Sequence, residues 1–420
     1  MPEKILVIGT TSDYIDWIQK ACPEKALFLT DPKIRKTALE NFPSENEELC
    51  ISLDSFDPVK EALACHLKKW NQTIKGVACF DCESLELASR LASHLGLEYH
   101  SLEAIQNCRD KHLSKVLWQQ KNIPCPESMP INSETDAVQF LSETPNGIVL
   151  KPFYGSGSEL VFRCQTPKEC KIHFKALKNG LIKRQANPLF KKSSSHDHLM
   201  LAEKFIPGPE YSCDFIIENS TIRIVRMTRK IKQADQVFGT VSGYVLVDGL
   251  PPRVNLQAFE TCLLNGAKAL GIQKGICMVD FILEDRHPFL VEITPRPGGD
   301  CIPFLLKEAG DIDILALTLD MAAQKPLNLK NAFSYKPLIG IRIHAQKAGK
   351  LLGFDTRGLD GEKRIKKIHF IRKPGHIITM PPADYDSWLL GHIIIEPAST
   401  IYPETQCLLI KNRLGVQIEE

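Results

Sequence analysis

Residues 275–300, GICMVDFILEDRHPFLVEITPRPGGD, constrain this chain more than any other stretch. They read as two short strands, 277–283 and 288–294, joined by a tight polar turn. With a three-residue turn at Asp285, Arg286 and His287, Glu284 pairs with Pro288 and Asp280 falls directly opposite Glu292. Val279, Phe281 and Leu283 then pair with Ile293, Val291 and Phe289, which gives one apolar face for a core. Met278, Asp280, Ile282, Leu290, Glu292 and Thr294 form the other face. Opposed side chains in such a pair sit about 4.5–5.5 Å apart at Cβ, where like charges repel. One carboxylate can take up a proton, or a divalent cation can bridge the two. Mg²⁺ or Mn²⁺ suits a carboxylate pair that leaves positions for phosphate oxygens and water. A solvated hairpin with both acids on its wet face is the competing reading, and a four-residue turn would separate the acids onto opposite faces.

The residues after the second acid favour the cation. In Thr294-Pro-Arg-Pro-Gly-Gly-Asp300 two prolines fix the path around Arg296, and Gly298 and Gly299 expose backbone N–H groups. An arginine beside free amides suits a phosphate or carboxylate oxygen.

At 420 residues the chain has room for two to four domains, each with its own core. A formal net charge of +2 gives no reason to expect nucleic acid or a membrane surface as partner. No apolar run approaches the roughly 20 residues that span a bilayer. Met1-Pro-Glu-Lys runs straight into a strand-like ILVIG, so no secretory leader is expected and the location is read as cytoplasmic. The 14 cysteines are then read as thiols. Cys79-Phe-Asp-Cys82 is the only CxxC; a zinc site needs a second pair, so it reads as a strand end with incidental thiols.

Over roughly the first hundred residues strand and helix patterns alternate as in a parallel α/β unit. Gly9-Thr-Thr is not a dinucleotide fingerprint, and the strand end at 81–83 can face a cleft. A helix follows, with Lys111 near its start, and stops at Asn122. The strand 147–151 ends in Lys151, and Pro152-Phe-Tyr-Gly-Ser-Gly-Ser158 is a small-residue turn able to fold over phosphates, although it lacks the ending of a P-loop. Residues 193–198 read as a mobile loop, in which His196 and His198 lack a third ligand. Glu203 ends one strand and Glu210 begins the next. With the backbone of Lys204, Phe205 and Ile206 they can supply edge contacts for adenine and a carboxylate for a ribose diol. Residues 302–323 read as one helix, and after 326 the pattern changes to short strands in a smaller β-rich unit.

Taken in order, ArgAspLys at 109–111, IVLKPFYGSGS at 148–158, LAEKFIPGPEYSCDF at 201–215 and VDFILEDRHPFLVEITPRPGG at 279–299 resemble the ATP-grasp superfamily. The resemblance is strongest over residues 108–325, and within the superfamily it is nearest to carboxylate–amine ligases, particularly the L-amino acid ligases that make dipeptides. It implies an α/β ATP-grasp fold with an N-terminal Rossmann-like parallel α/β domain (1–110), an ATP-grasp domain (111–325, small lobe to about 205) and a C-terminal β-rich subdomain (326–420). It implies ATP and Mg²⁺ or Mn²⁺, with small-molecule carboxylate and amine substrates and a homodimer. Lys111 and Lys151 would hold phosphates, and Gly155, Ser156, Gly157 and Ser158 would close over them. Glu203 and residues 204–206 would read adenine, Glu210 the ribose. Asp280 and Glu292 would coordinate the metal. Arg296, with the Gly298 and Gly299 amides, would hold the carboxylate that attacks ATP, so that Arg296 and Lys151 carry the catalysis. Many members have asparagine where this chain has Thr294, which puts a second metal position in doubt. Two rivals share this ATP site. One is a formyl- or carboxyl-activating enzyme of purine or biotin type, and the other is an ATP-binding scaffold without turnover.

Overall fold

The computed structural model describes residues 1–190, 192, 199–233, 236–251, 254–327 and 335–419. The alternation at the start of the chain folds as expected into a four-stranded parallel sheet, in spatial order Glu48–Cys50, Ala26–Thr30, Glu3–Ile8, Thr73–Cys79. Residues 4–8 are all buried, as a central parallel strand covered on both faces must be.

Residues 128–204 form the small lobe, an antiparallel sheet in the order Ser128–Ile131, Met200–Lys204, Ile148–Pro152, Phe162–Cys164. Helices Glu134–Ser142 and Pro167–Lys183 pack on it. Both open on a capping box, Ser133 with Asp136 and Thr166 with Glu169. Each such cap is worth about 1 kcal/mol.

The large lobe is an eight-stranded sheet. Its order is His287–Thr294, Gly275–Glu284, Glu210–Glu218, Thr221–Ile231, Gly243–Leu246, Ile339–His344, Leu389–Ile395, Ile365–Phe370. The last three strands come from the stretch after 326, so half of the six strands described there extend the central sheet. Ile339, Ile341, Ile393 and Ile395 share one face and are fully buried in a single apolar cluster, and their strands join the central sheet by pairing to Gly243–Leu246. A smaller sheet of Ile377–Ile378, Gly349–Asp355 and Gly415–Glu419 stands beside it.

One helix that reads as continuous is broken, and another begins later than it reads. Asp311, at φ 57°, ends Ile302–Gly310, and the Asp313 side chain caps Ile314–Ala322. Asp110 ends Leu102–Arg109 and caps Lys111–Gln120 by accepting from the amides of His112 and Leu113. That cap makes Lys111 the first residue of an inward-facing helix. No helix among the described residues is long and apolar enough to cross a membrane.

Candidate active site

The hairpin does place Asp280 opposite Glu292, but by a different route. Its turn has two residues, Asp285 and Arg286, at φ 44° and 77°, the left-handed geometry that matches strand twist. Glu284 therefore pairs with His287, and Phe281 with Leu290. A bulge then leaves Val291 without a partner and shifts the register by one, so that Asp280 still meets Glu292. The faces change accordingly. Leu290, expected beside the acids, is fully buried in the core with Val279, Phe281 and Ile293. Val291, expected in that core, lines a cavity of about 570 Å³ between the two lobes.

Lys151 of the small lobe and Lys111 of helix Lys111–Gln120 line this cavity, and Lys115 lies buried behind them. Lys151 and Glu203 lie on paired strands, with Lys151 Nζ 2.6 Å from Glu203 Oε2. Lys115 Nζ lies 3.5 Å from Glu203 Oε1, donates to the Val291 carbonyl, and is completely buried. Lys111 Nζ lies 3.5 Å from Glu292 Oε2 and donates to the Gly155 carbonyl at 3.0 Å. Burial pulls the ammonium groups of Lys111 and Lys115 below their usual range, against the pull of Glu292 and Glu203. Burial would raise the Glu203 carboxyl, but Lys115, Lys151 and Lys111 together hold it below its usual value. Lys115 was not expected, yet it stands one helical turn beyond Lys111, a spacing that puts both on one face.

The large lobe brings the acids. Lys230 bridges Glu210 Oε1 at 2.6 Å and Asp280 Oδ2 at 2.8 Å, and Lys232 pairs with the other Glu210 oxygen. Glu210, expected at a ribose, is thus already held by two cations. Arg226, Thr228 and Lys230 alternate along Thr221–Ile231, a period-two signal that could have revealed them. Burial raises the Asp280 carboxyl, with Lys230 opposing and Glu210 and Glu292 adding to the rise. Glu292 goes the other way: burial would raise it, but Lys111, Arg109, Lys151 and Lys115 hold it low. Asp280 Oδ1 is buried without a hydrogen-bond partner. Two hard carboxylates on paired positions, one with an unsatisfied oxygen, fit Mg²⁺ or Mn²⁺, and buried Thr294 lines the same cavity.

The loop and hinge residues also line the cavity: Gly155, Ser156, Gly157, Ser158, Lys204, Phe205 and Ile206. A Cβ at Gly155 would sit 2.8 Å from the Phe190 ring, so the loop packs too closely there for any side chain. The amides of Lys204 and Phe205 already bond to the carbonyls of Glu127 and Gly147, which narrows any base contact of this hinge to its remaining backbone groups. Arg296 directs Nε and Nη2 at the Cys82 thiol, at 3.3 and 3.1 Å. Cys82 thus lines the cavity from the carboxyl end of a parallel strand, where such sheets present ligands. The expected amide pair is not free as drawn. Gly298 N–H bonds Asp214 at 2.9 Å, and a Cβ there would meet Arg226 Nη2 at 2.4 Å. Asp214 and Arg226 form a fully buried ion pair under that loop. Gly299 reaches the cavity. His196 and His198 lie outside the described residues.

Residues 144–304 match the family model described as an ATP-grasp domain. Over 216 residues the chain is 26% identical to a D-alanine--D-alanine ligase of Aromatoleum aromaticum, covering 50% of this chain and 64% of that one. It is 24% identical over 254 residues to carnosine synthase 1 of Homo sapiens, covering 58% of this chain and 30% of that one. The chain thus spans less than two thirds of either relative. An L-amino acid ligase from Bacillus licheniformis has the same fold, with a TM-score of 0.77 at 18% identity, covering 100% of this chain and 99% of that one. The match to the ATP-grasp domain model lies on residues that frame the cavity, and the chain shares the fold of the L-amino acid ligase.

Proposed function

We propose that the chain is an ADP-forming carboxylate–amine ligase, and that both substrates are amino acids. One observation carries this reading: a lysine cluster and an acid cluster face each other across one cavity, with Arg296 at its end. Polyphosphate suits the first cluster and a divalent cation the second. A substrate carboxylate beside Arg296 attacks the terminal phosphoryl group of ATP, giving an acyl phosphate and ADP. Lys111 and Lys151 neutralise charge on the phosphates, so the protein contributes positioning and electrostatics. Asp280 and Glu292 would hold Mg²⁺ or Mn²⁺, which supplies further neutralisation of phosphate charge. An amine then attacks the acyl carbon and phosphate leaves. The loop at 155–158 excludes water, which would otherwise hydrolyse the acyl phosphate.

The test is release of ADP and phosphate from Mg²⁺-ATP over pairs of L-amino acids, with products weighed by mass spectrometry. Release that depends on one pair, with a condensed product, supports the reading. Release with formate or bicarbonate alone would transfer the chain to the carboxyl-activating class. Bound ATP with no release under any acid and amine would leave a scaffold.

A further inference from the structure

Outside the two clusters the cavity wall carries two further opposite-charge pairs, Arg229–Glu404 and Arg342–Asp300. Arg342 Nε lies 2.6 Å from Asp300 Oδ2, and both residues line the cavity wall. Arg342 comes from Ile339–His344, in the tail and outside the matched segment 144–304. Its Nη1 donates to the Val241 carbonyl at 3.0 Å, which fixes the guanidinium plane. Asp300 is held at φ 61°, a left-handed conformation that costs a non-glycine residue energy and gathers at functional sites. The Tyr14 hydroxyl, from the first helix, donates to its carbonyl at 2.9 Å. Three separate parts of the chain therefore fix this pair in place. Neither Arg342 Nε nor Asp300 Oδ2 makes a well-formed hydrogen bond, although they lie close together.

We propose that Arg342 and Asp300 form the site for the amine substrate and that this substrate is an α-amino acid, its carboxylate on Arg342 and its amino group facing Asp300. The proposal rests on the ligase reading above. Among the other cavity cations Lys151 has Glu203, Lys230 and Lys232 have Glu210, and Arg229 has Glu404, while Arg296, which bonds to Cys82 and the Pro297 carbonyl, is assigned above to the activated acid. Arg342–Asp300 is a neutral pair, and a zwitterion can enter it without changing the net charge, each end replacing one partner of the other. The orientation follows from the chain. Asp300 lies four residues beyond Arg296, and a Cβ on Gly299 between them would lie 3.6 Å from Arg296 Nη1, so the amino end is set toward the activated acid. The activated amino acid cannot serve Arg342 with its α-carboxylate, because that group is consumed in the acyl phosphate. The amine substrate keeps its carboxylate through the reaction.

The experiment uses the full chain with Mg²⁺-ATP and L-amino acids as activated acids. Hydroxylamine serves as a small amine that traps the acyl phosphate as a hydroxamate without needing the amine site. Condensation is then measured with free L-amino acids and with their α-amides as amines. The expected wild-type preference is at least about 100-fold for the free acid, since an unpaired buried arginine is costly to leave. Arg342→Met is expected to bring that ratio near one and to lower condensation far more than hydroxamate formation. Equal use of acids and amides by the wild-type protein overturns the proposal, whatever the variant's folding. So does an Arg342→Met protein whose hydroxamate formation falls as far as its condensation, because Arg342 would then serve the activated acid. Absence of hydroxamate with every acid overturns the ligase reading itself.

Discussion

The two walls of the cavity carry opposite imbalances of charge. On the small-lobe side Lys111, Lys115 and Lys151 gather around the single carboxylate of Glu203. On the large-lobe side Glu210, Asp280 and Glu292 have Lys230 and Lys232 among them, and Glu292 reaches across to Lys111. Buried charges are tolerated when paired, and neither side pairs all of its own. On the proposed reading a phosphate chain would complete the first cluster and a divalent cation the second, and a metal nucleotide would bring both at once.

The largest expected effect is at the point where the clusters meet. Glu292→Gln keeps the shape of the side chain and removes the charge that faces both Lys111 and Asp280. ADP release is expected to fall by about 10³-fold or more, as when a group that positions or neutralises transferring charge is lost. Near-normal release would break the assignment of the acid cluster to a metal. The next test separates the two sides. Lys230→Met strips the bridge between Glu210 and Asp280 and is expected to cost about 3 kcal/mol, because breaking a buried pair leaves a charge uncompensated. Mn²⁺ should restore part of that loss, read as a rise in Tm. Lys115→Met should cost a similar amount by isolating one oxygen of Glu203, and Mn²⁺ should restore none of it. Rescue of both variants, or of neither, would erase the contrast between the walls.

How far the sequence revealed these walls depends on the range of the interactions. The acid pair was legible because strand period and a short turn are local, although two errors cancelled there. A three-residue turn and an unbroken ladder predict the same partner for Asp280 as a two-residue turn and a bulge at Val291. The difference shows only in Leu290 and Val291, which exchange core and cavity. Lys111, Lys151, Glu203, Glu210 and Arg296 all border the cavity as expected, since each stands at an element end marked by glycine, proline or a cap. Lys115 and Lys230 sit inside regular elements, where a charge looks like a solvated face until tertiary packing buries it. Arg342 was the least legible. It reaches the cavity only because Ile339–His344 pairs with Gly243–Leu246, about a hundred residues earlier, and no local pattern encodes that pairing. The break at Asp311 was missed for a related reason: hydrophobic periodicity runs on through a capping residue.

The smallest effect lies outside both clusters and tests whether acid sensitivity belongs to them. His392 is buried on Leu389–Ile395, against Phe304 and His369, and its Nε2 has no hydrogen-bond partner. Burial, aided by His369 and Lys367 and opposed by Asp13, pushes its imidazole down to about 3. Below the unfolded value of about 6.5 the unfolded chain binds this proton and the native chain does not, so stability falls as pH drops toward 3. By pH 5.5 the loss from this residue is expected to be about 1.4 kcal/mol. Asp81 works in the opposite direction. Burial and Glu83 raise its carboxyl to about 7, so native protein takes up that proton first and gains stability as pH falls. The overall profile therefore mixes signs, and the informative quantity is the difference between wild type and His392→Gln. Urea midpoints at pH 7 and 5.5 should show a smaller acid loss in the variant. Glu203, Glu210 and Glu292 are held low and keep their charges through this window. An unchanged difference would mean that His392 is not the group responsible, and would pass the acid loss to His100 and His344, whose imidazoles burial also lowers.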